Sequence, residues 1–305
     1  MQKDEILKLF FVINPVSGGK EKTNWEEKIR TYFKQSPHEM EFFLLTGKDD
    51  TSSVQHYIDT IKPDRVVGVG GDGTIKMLAQ MLYHTPLPLG IIPAGSANGM
   101  AKELGIPADV ETALDIVVNR EASPIDVIKI DDKEICIHLS DLGLNAMLVK
   151  QFEKSKSRGM WGYGKAVFRM LWEKQKMYVT IQTDAQTEKR KAYMVAIANA
   201  SKYGTGATIN PDGKVDDGVF EIVVIRKLNL VELGKSLFSE SSFHPDRIEI
   251  FKAKSATLST LNKTYFQVDG EYRGKVKEVK AEIQTGCLQV LLPDKDETKN
   301  KNKLF

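Results

Sequence analysis

The stretch RVVGVGGDGTIKMLAQMLY, residues 65–83, decides the fold of the first part of the chain. Its β-branched run at 65–69 predicts a buried strand. Apolar side chains at 75, 78, 79 and 82 then recur at the spacing of a helix that packs on a sheet. The stretch therefore predicts a strand that passes through a tight glycine-rich turn directly into a helix.

The turn itself reads Gly70-Gly71-Asp72-Gly73-Thr74. Glycines let a backbone approach a phosphate chain closely, and a helix start offers free N–H groups and a positive dipole end. Asp72 would repel a bare phosphate, so it fits a divalent cation or a proton-transfer role beside the phosphates. An ordinary glycine-rich turn is the alternative reading of this pentapeptide.

The same residues also match a dinucleotide-binding fingerprint through Gly68, Gly70 and Gly73. Such a site wants an acidic residue at the end of the next strand, about 20 residues on. The next predicted strand, 89–92, runs into 93–99, which contains no acid. A dehydrogenase is therefore disfavoured.

The composition narrows the class of protein further. A length of 305 residues suggests about two domains, and a net charge of +2 gives no reason to expect a nucleic-acid partner. Cys136 and Cys287 form no CxxC motif, so neither disulfides nor zinc are expected. The N-terminal apolar run is too short for a signal peptide, and nothing approaches the ~18 apolar residues that span a bilayer. We expect a cytoplasmic protein.

Strand and helix signals alternate through residues 1–124. Strands are predicted at 9–13, 41–45, 65–69 and 89–92, and helices at 25–33, 51–61, 75–83, 98–104 and 110–119. Ser/Thr residues are expected to cap the helix at 51–61. The alternation predicts an α/β domain with a parallel sheet, whose ligands bind beyond the carboxyl ends of its strands. A return of the chain into this domain near 285–305 is left open.

β-branched and alternating runs dominate the chain after Pro124. They predict a mainly antiparallel β-sandwich or barrel over 125–293, interrupted by helices near 150–176 and 230–239. Residues 294–305 are rich in Lys, Asp and Asn and predict a flexible tail.

Two further loops share the chemistry of the Gly70 turn. Residues 14–20 contain Asn14, Ser17, Gly18 and Lys20, and Lys20 could reach a nucleotide phosphate or be a solvated surface lysine. Residues 95–99 form a second glycine-rich loop in which Asn98 is well placed to cap a helix. A simple capped turn is the alternative there.

Five segments, in this order, make the chain resemble the diacylglycerol-kinase-type lipid kinases, which include soluble bacterial diacylglycerol kinases, sphingosine kinases and ceramide kinases. They are Asn14-Pro15-Val16-Ser17-Gly18, Gly70-Gly71-Asp72-Gly73-Thr74, Pro93-Ala94-Gly95-Ser96-Ala97-Asn98, Asn210-Pro211-Asp212-Gly213-Lys214-Val215-Asp216-Asp217-Gly218 and Val268-Asp269-Gly270-Glu271.

The resemblance implies an NAD-kinase/phosphofructokinase-like α/β nucleotide domain joined to a β-sandwich, with ATP and Mg²⁺ as cofactors. It implies nucleotide or phosphate contacts from the three first-domain loops and from Thr46. Asp72 would engage Mg²⁺ or the reacting hydroxyl, and Glu271 would be the general base. The implied nucleotide-binding residues are Asn14, Ser17, Gly18, Lys20, Thr46, Gly70, Gly71, Gly73, Thr74, Gly95, Ser96 and Asn98.

The resemblance also implies a structural Mg²⁺ site formed by Asp212, the Val215 carbonyl and Asp217. Oxygen ligands at short spacing suit a hard cation. Without the resemblance, the same loop is a good turn with solvated carboxylates, and Glu271 is an exposed hairpin residue.

Departures from the family pattern leave the acceptor lipid open. Bacterial diacylglycerol kinases usually carry Gly-Thr-x-Asn-Asp in the third loop, whereas this chain ends the motif with Gly99. The Gly-Ser-x-Asn form resembles sphingosine kinases, but Met147 stands where those enzymes tend to carry an acid.

Segment 150–176 carries eight Lys or Arg residues among aromatic and apolar ones. It predicts docking on an anionic bilayer, with a sandwich-covering helix as the alternative. The sequence thus favours an ATP- and Mg²⁺-dependent lipid kinase that meets its lipid substrate peripherally at the membrane. A homodimer is compatible with this interpretation. The alternatives are an NAD-kinase-type enzyme and a non-catalytic nucleotide or lipid sensor.

Overall fold

The computed structural model describes residues 6–18, 24–154, 176–203, 207–208, 210–211, 213–227 and 248–294. The chain divides into two compact units, Met1–Ile125 with Gly286–Phe305, and Asp126–Thr285. The sequence placed 125–293 in the second domain and left open a return of the chain to the first domain near 285–305. In the structure Val290 pairs in parallel with Leu89 of the first unit.

The first unit is built on a parallel sheet. Its strands are β1 (Lys8–Ile13), β2 (Glu39–Leu44), β3 (Arg65–Gly70) and β4 (Leu89–Pro93), in the order β2-β1-β3-β4. The helices are α1 (Trp25–Tyr32), α2 (Asp50–Ile61), α3 (Asp72–Leu82), α4 (Gly99–Glu103) and α5 (Val110–Asn119). The predicted α/β alternation is confirmed element by element.

The core of this unit explains Gly68. A Cβ at residue 68 would lie 2.8 Å from side-chain atoms of Ile75 and of Leu78 on α3. The glycine therefore lets α3 pack closely on β3, and its place in an apparent dinucleotide fingerprint reflects packing. Strand β1 is buried almost throughout, which explains its uninterrupted apolar sequence.

The predicted Ser/Thr cap of α2 is wrong. The helix begins after Asp49, which has a positive φ of 50° and no side-chain cap. Asp50 instead turns back to the preceding loop and accepts the N–H groups of Thr46 and Gly47 at 2.9 and 2.7 Å. The carboxylate therefore orders the loop that follows β2.

The second unit is mainly antiparallel, as predicted. Its elements are β5 (Ala122–Ile130), β6 (Glu134–Cys136), β7 (Leu139–Gly143), α6 (Leu144–Lys154), β8 (Met177–Thr183), β9 (Thr187–Ala192), β10 (Met194–Ala198), β11 (Lys202–Tyr203), β12 (Ala207–Thr208), β13 (Phe220–Ile225), β14 (Ile248–Ala253), β15 (Ser255–Val268) and β16 (Glu271–Leu291). β5 begins, and β16 ends, in the first unit.

Within the second unit the sheet order is β14-β13-β10-β7-β15-β16, and β8 with β9 continues from the first half of β15. Buried side chains from most of these strands form one apolar cluster. β15 is long because even its polar first half buries alternate residues.

Two predicted helices fall partly or wholly outside the described residues. The helix expected near 150–176 begins earlier, as α6, and residues 155–175 are not described. The helix expected at 230–239 also lies outside the described residues. Of the predicted tail, Asp294 is described and forms an ion pair with Arg120.

Candidate active site

Three loops of the first unit meet at the carboxyl ends of β1, β3 and β4. The Asn14 N–H donates to the Val69 carbonyl at 2.9 Å, and Asn14 Nδ2 donates to Thr74 Oγ1 at 3.2 Å. The Ala94 N–H donates to the Gly70 carbonyl at 2.9 Å. These bonds hold the 14–18, 70–74 and 94–98 loops side by side along one sheet edge.

Backbone crowding explains the small residues in these loops. A Cβ at Gly95 would lie 2.5 Å from the Gly71 Cα, and one at Gly18 would lie 2.9 Å from the Ala94 carbonyl oxygen. Gly18 also has a φ of +88°, which favours glycine. The loops therefore approach each other more closely than residues with side chains could.

The start of α3 is open to an anion. Its N-cap is Gly71, which supplies no capping side chain, and Thr74, in the first turn, is buried. The first N–H groups of a helix have no intrahelical acceptor and carry the positive end of its dipole. The Gly70 turn therefore has the geometry of a phosphate cradle.

Asp72 lies at the first position of α3 and is half-buried. Its Oδ1 accepts the N–H of Met100 at 3.1 Å, which ties the start of α3 to the start of α4. Within the described part of the chain, Oδ2 has no hydrogen-bond donor, so it can coordinate a hard cation.

The predicted cap role of Asn98 is wrong. Asn98 has a φ of 51° and makes no cap bond to α4. Its Oδ1 accepts the Gly95 N–H at 2.8 Å, and its Nδ2 donates to the Gly95 carbonyl at 2.9 Å. The side chain closes the third loop on itself, and this holds Gly95 against Gly71.

The other predicted nucleotide contacts are placed as follows. Ser17 is half-buried, and its N–H donates to the Asn14 carbonyl. Ser96 is exposed in the third loop. Thr46 follows β2 at the same sheet edge, with its hydroxyl bound to Asp50. Lys20 lies outside the described residues.

In the second unit, Glu271 begins β16 and pairs with Arg273. Arg273 also holds Glu134 through two hydrogen bonds of 2.8 and 2.9 Å. The pKa of Arg273 is raised mainly by its hydrogen bond with Glu134 and, to a smaller extent, by its hydrogen bond with Glu271. The predicted general base is therefore oriented by a guanidinium that is always charged.

The turn before Glu271 is fixed by contacts of Asp269 and Gln267. The Asp269 carboxylate accepts the N–H groups of Ile137, His138 and Leu139 at 3.0 to 3.1 Å. Gln267 Oε1 accepts the Gly270 N–H at 2.7 Å. The Asp-Gly pair at 269–270 was a turn signal, but nothing local indicated its long-range partners.

The predicted metal loop is described in part, because Asp212 lies outside the described residues. The Val215 carbonyl accepts the Asp126 N–H at 2.7 Å, and Asp217 Oδ1 accepts the Val219 N–H at 3.3 Å. Asp126, buried in β5, accepts the Gly218 N–H at 2.7 Å and was missed from the sequence. Its only signal was that it is the one acid in β5, among mainly apolar residues.

Two family models match this chain in succession. Residues 8–130 match the diacylglycerol kinase catalytic domain, and residues 140–292 match the YegS C-terminal NAD kinase beta sandwich-like domain. The second match alone covers half of the chain. The chain belongs to the diacylglycerol-kinase-like family of lipid kinases, as the order of its five motifs indicated.

Curated relatives agree with this assignment. The chain is 28% identical over 224 residues to a diacylglycerol kinase of Staphylococcus haemolyticus, covering 70% of this chain and 66% of that protein. A diacylglycerol kinase of Staphylococcus epidermidis is 29% identical over 221 residues, covering 70% and 69%. The matched part spans about two thirds of these relatives' lengths.

Solved structures share the fold. A diacylglycerol kinase from Bacillus anthracis has a TM-score of 0.73 at 19% identity, covering 95% of this chain and 98% of that one. An NAD kinase from Archaeoglobus fulgidus, solved in complex with ATP, has a TM-score of 0.57 at 14% identity, covering 97% and 98%. The predicted NAD-kinase-like fold class is confirmed. None of the described helices is long and apolar enough to cross a bilayer.

Proposed function

We propose that this protein is an ATP- and Mg²⁺-dependent kinase that transfers the γ-phosphoryl group to the hydroxyl of diacylglycerol or a related lipid. The observation that carries the proposal is the meeting of three small-residue loops at the open start of α3, beside Asp72. We call these three loops, where they meet at the start of α3, the rim. Phosphoryl transfer depends mainly on alignment and charge neutralisation, and the rim can provide both.

Each first-unit loop has a defined part in this proposal. The N–H groups at the start of α3 bind phosphate oxygens, while Asn14 fixes Thr74 and thereby the shape of the cradle. Asn98 keeps Gly95 pressed on Gly71, so the second and third loops form one backbone surface. Bound Mg²⁺ would neutralise phosphate charge, and Asp72, which has a free carboxylate oxygen among the described contacts, would hold it.

Glu271 is proposed as the base that takes the proton of the acceptor hydroxyl. Its carboxylate is about half-exposed, and Arg273 orients it from within the same unit. A carboxylate that is reachable from solvent yet held in one direction suits a base that must meet a large substrate.

Asp217 and the Val215 carbonyl, with Asp212, are proposed to hold a structural Mg²⁺. Carboxylate and carbonyl oxygens are the ligands this ion prefers. The buried Oδ1 atoms of Asn199 and Asn210, in the same unit, have no donor in the described structure. Such oxygens indicate a region that can accommodate a cation or water.

The decisive experiment incubates the purified protein with ATP, Mg²⁺ and a total lipid extract, and identifies phosphorylated products by mass spectrometry. We expect a new phosphatidic acid or related lipid phosphate, and none with the Asp72→Asn variant. Phosphorylation of NAD would support the NAD-kinase-type alternative. Nucleotide binding without any product would support a sensor, and equal turnover by Asp72→Asn would refute the role of Asp72.

A further inference from the structure

We propose that one outward end of the second unit's sheet is a docking surface for an anionic bilayer. This inference rests on the proposed lipid acceptor, which resides in a membrane. The bulge surface, as we name it, consists of Tyr178, Lys191, Leu261, Lys263, Lys275 and Lys277.

An irregularity in strand pairing creates this surface. β15 and β16 pair regularly up to Ser259 with Glu278 and resume at Thr264 with Val276. Four residues of β15 therefore face a single one of β16. The Thr260 hydroxyl lies 3.0 Å from the Asn262 carbonyl oxygen and 3.2 Å from that of Lys277, which fixes the bulge. The bulge is thus an ordered projection of the sheet.

Leu261 stands on this projection with 70% of its surface exposed. Thr260 pairs with Val179 of β8, so Leu261 and Tyr178 each lie one residue beyond this pair on neighbouring strands. Tyr178 is 57% exposed and points away from the core that Val179 enters. A single exposed leucine is ordinary, but here an exposed leucine and an exposed tyrosine lie at adjacent positions of neighbouring strands.

Four exposed lysines lie on the strands of these two apolar side chains or on strands paired with them. Lys191 pairs with Tyr178, and its Nζ lies 5.0 Å from the ring centre. Lys275 pairs with Tyr265 on β15, and its Nζ lies 4.5 Å from the centre of that ring. Among the described residues, Lys263 and Lys277 form no ion pair. Their charges therefore remain available to an external anion.

The Glu278 carboxylate also lies on this side of the sheet, and Ser259 donates a hydrogen bond to it at 3.1 Å. A bilayer surface has an outer layer of charged headgroups and an apolar layer below it. Lysines together with an aromatic ring and an exposed leucine match these two layers. Anionic headgroups attract the lysines, and the apolar groups enter the boundary below them. A soluble polyanion would use the lysines alone.

The test measures flotation of the full chain with vesicles of 70% phosphatidylcholine and 30% phosphatidylglycerol. We expect Lys263→Glu with Lys277→Glu to lower the bound-to-free ratio at least about tenfold, since each lysine near such a surface contributes about fivefold. The matched control is Lys133→Glu with Lys254→Glu, two exposed lysines elsewhere in the same unit. Equal losses in both pairs would overturn the proposal.

A second pair of variants separates a bilayer from a polyanion. Leu261→Ser should lower flotation severalfold, whereas Leu44→Ser, at a leucine 48% exposed in the first unit, should not. If Leu261→Ser floats like the wild type while the lysine variants lose both vesicles and heparin, the surface binds polyanions and the bilayer proposal is wrong. Flotation needs no turnover, so a failure of the proposed kinase activity would be seen separately.

Discussion

At the scale of single residues, Gly95 shows how little space separates the loops of the first unit. A Cβ there would lie 2.5 Å from the Gly71 Cα and 2.8 Å from Asn98 Oδ1. The obstacle at Gly71 is backbone, which cannot rotate away as a side chain can. By contrast, a Cβ at Gly73 meets nothing within 4 Å.

We predict that Gly95→Ala lowers the free energy of unfolding by about 1–3 kcal/mol, because overpacking forces the two loops apart. Nucleotide binding should weaken with it. The control for stability is Gly73→Ala, which should leave the unfolding free energy unchanged or slightly higher, since alanine favours a helix. Urea unfolding of both variants measures the difference, and equal stability would show that the loops separate at no cost.

Asp269 is the second residue whose role depends on single contacts. Three consecutive N–H groups donate to its carboxylate, which holds the turn that leads to Glu271. Asp269→Asn should lower the free energy of unfolding by about 1–3 kcal/mol, because the amide group opposes one of those donors. The exposed Asp132→Asn serves as the control. If the two variants unfold at the same urea concentration, the three contacts contribute nothing.

At the scale of elements, β13 is buried along its whole length and yet contains Glu221. Asn210 Nδ2 donates to Oε2 at 2.7 Å, and Lys252 on the paired strand β14 lies 3.5 Å from Oε1. Burial raises the pKa of Glu221, and these two partners offset that effect only in part. The folded strand therefore holds the proton of Glu221 more tightly than an exposed glutamate would.

This predicts a pH dependence of stability with a definite sign. Because the folded protein holds the Glu221 proton more tightly than the unfolded chain, its contribution to stability is complete below the ordinary glutamate pKa. It is lost as the pH rises through the raised value. We expect Glu221→Gln to remove this loss, so that the stabilities of variant and wild type differ increasingly as the pH rises above about 4.5, the ordinary glutamate pKa. Urea unfolding across a pH series measures it, and parallel curves would contradict the prediction.

Elements also show where local patterns misled. Asp50 and Asn98 stand at helix starts, where such residues usually cap. Both side chains instead bind the loop that precedes them, through Thr46 and Gly95 respectively. A loop beside a sheet edge has its own unpaired N–H groups. These compete with the N–H groups of the helix start for the same side-chain oxygen.

At the scale of the whole molecule, the candidate nucleotide groups of the first unit come from segments far apart in the chain. Asn14 and Thr74, for example, are 60 residues apart and joined by one hydrogen bond. A ligand that binds only the folded form stabilises it, by about 2.7 kcal/mol at a hundred times its Kd. Nucleotide should therefore protect all of these loops together.

We predict that MgATP slows amide hydrogen exchange in 69–75 and 94–99 together, because both loops open in one local event when the rim is empty. Asp72→Asn should reduce the protection that Mg²⁺ adds to that of ATP alone. The helix α1, which is not part of the rim, is the internal control. Protection confined to one loop would show that the loops do not act as a single site.

The sequence by itself determined the order of strands and helices in the first unit, the change to antiparallel strands after Pro124, and the glycine-rich loops. It could do so because residue periodicity and turn chemistry act over a few neighbouring residues. The five ordered motifs were enough to indicate the family.

Only the tertiary structure decided what those loops and carboxylates touch. The return of β16 beside β4, the three donors to Asp269 and the contact between Gly95 and Gly71 join residues that are distant in sequence. Contacts of this kind form when packed elements bring distant backbone groups into reach, so no local pattern encodes them. For the same reason, Asp126 and Glu221 became visible as buried carboxylates only once their strands were packed.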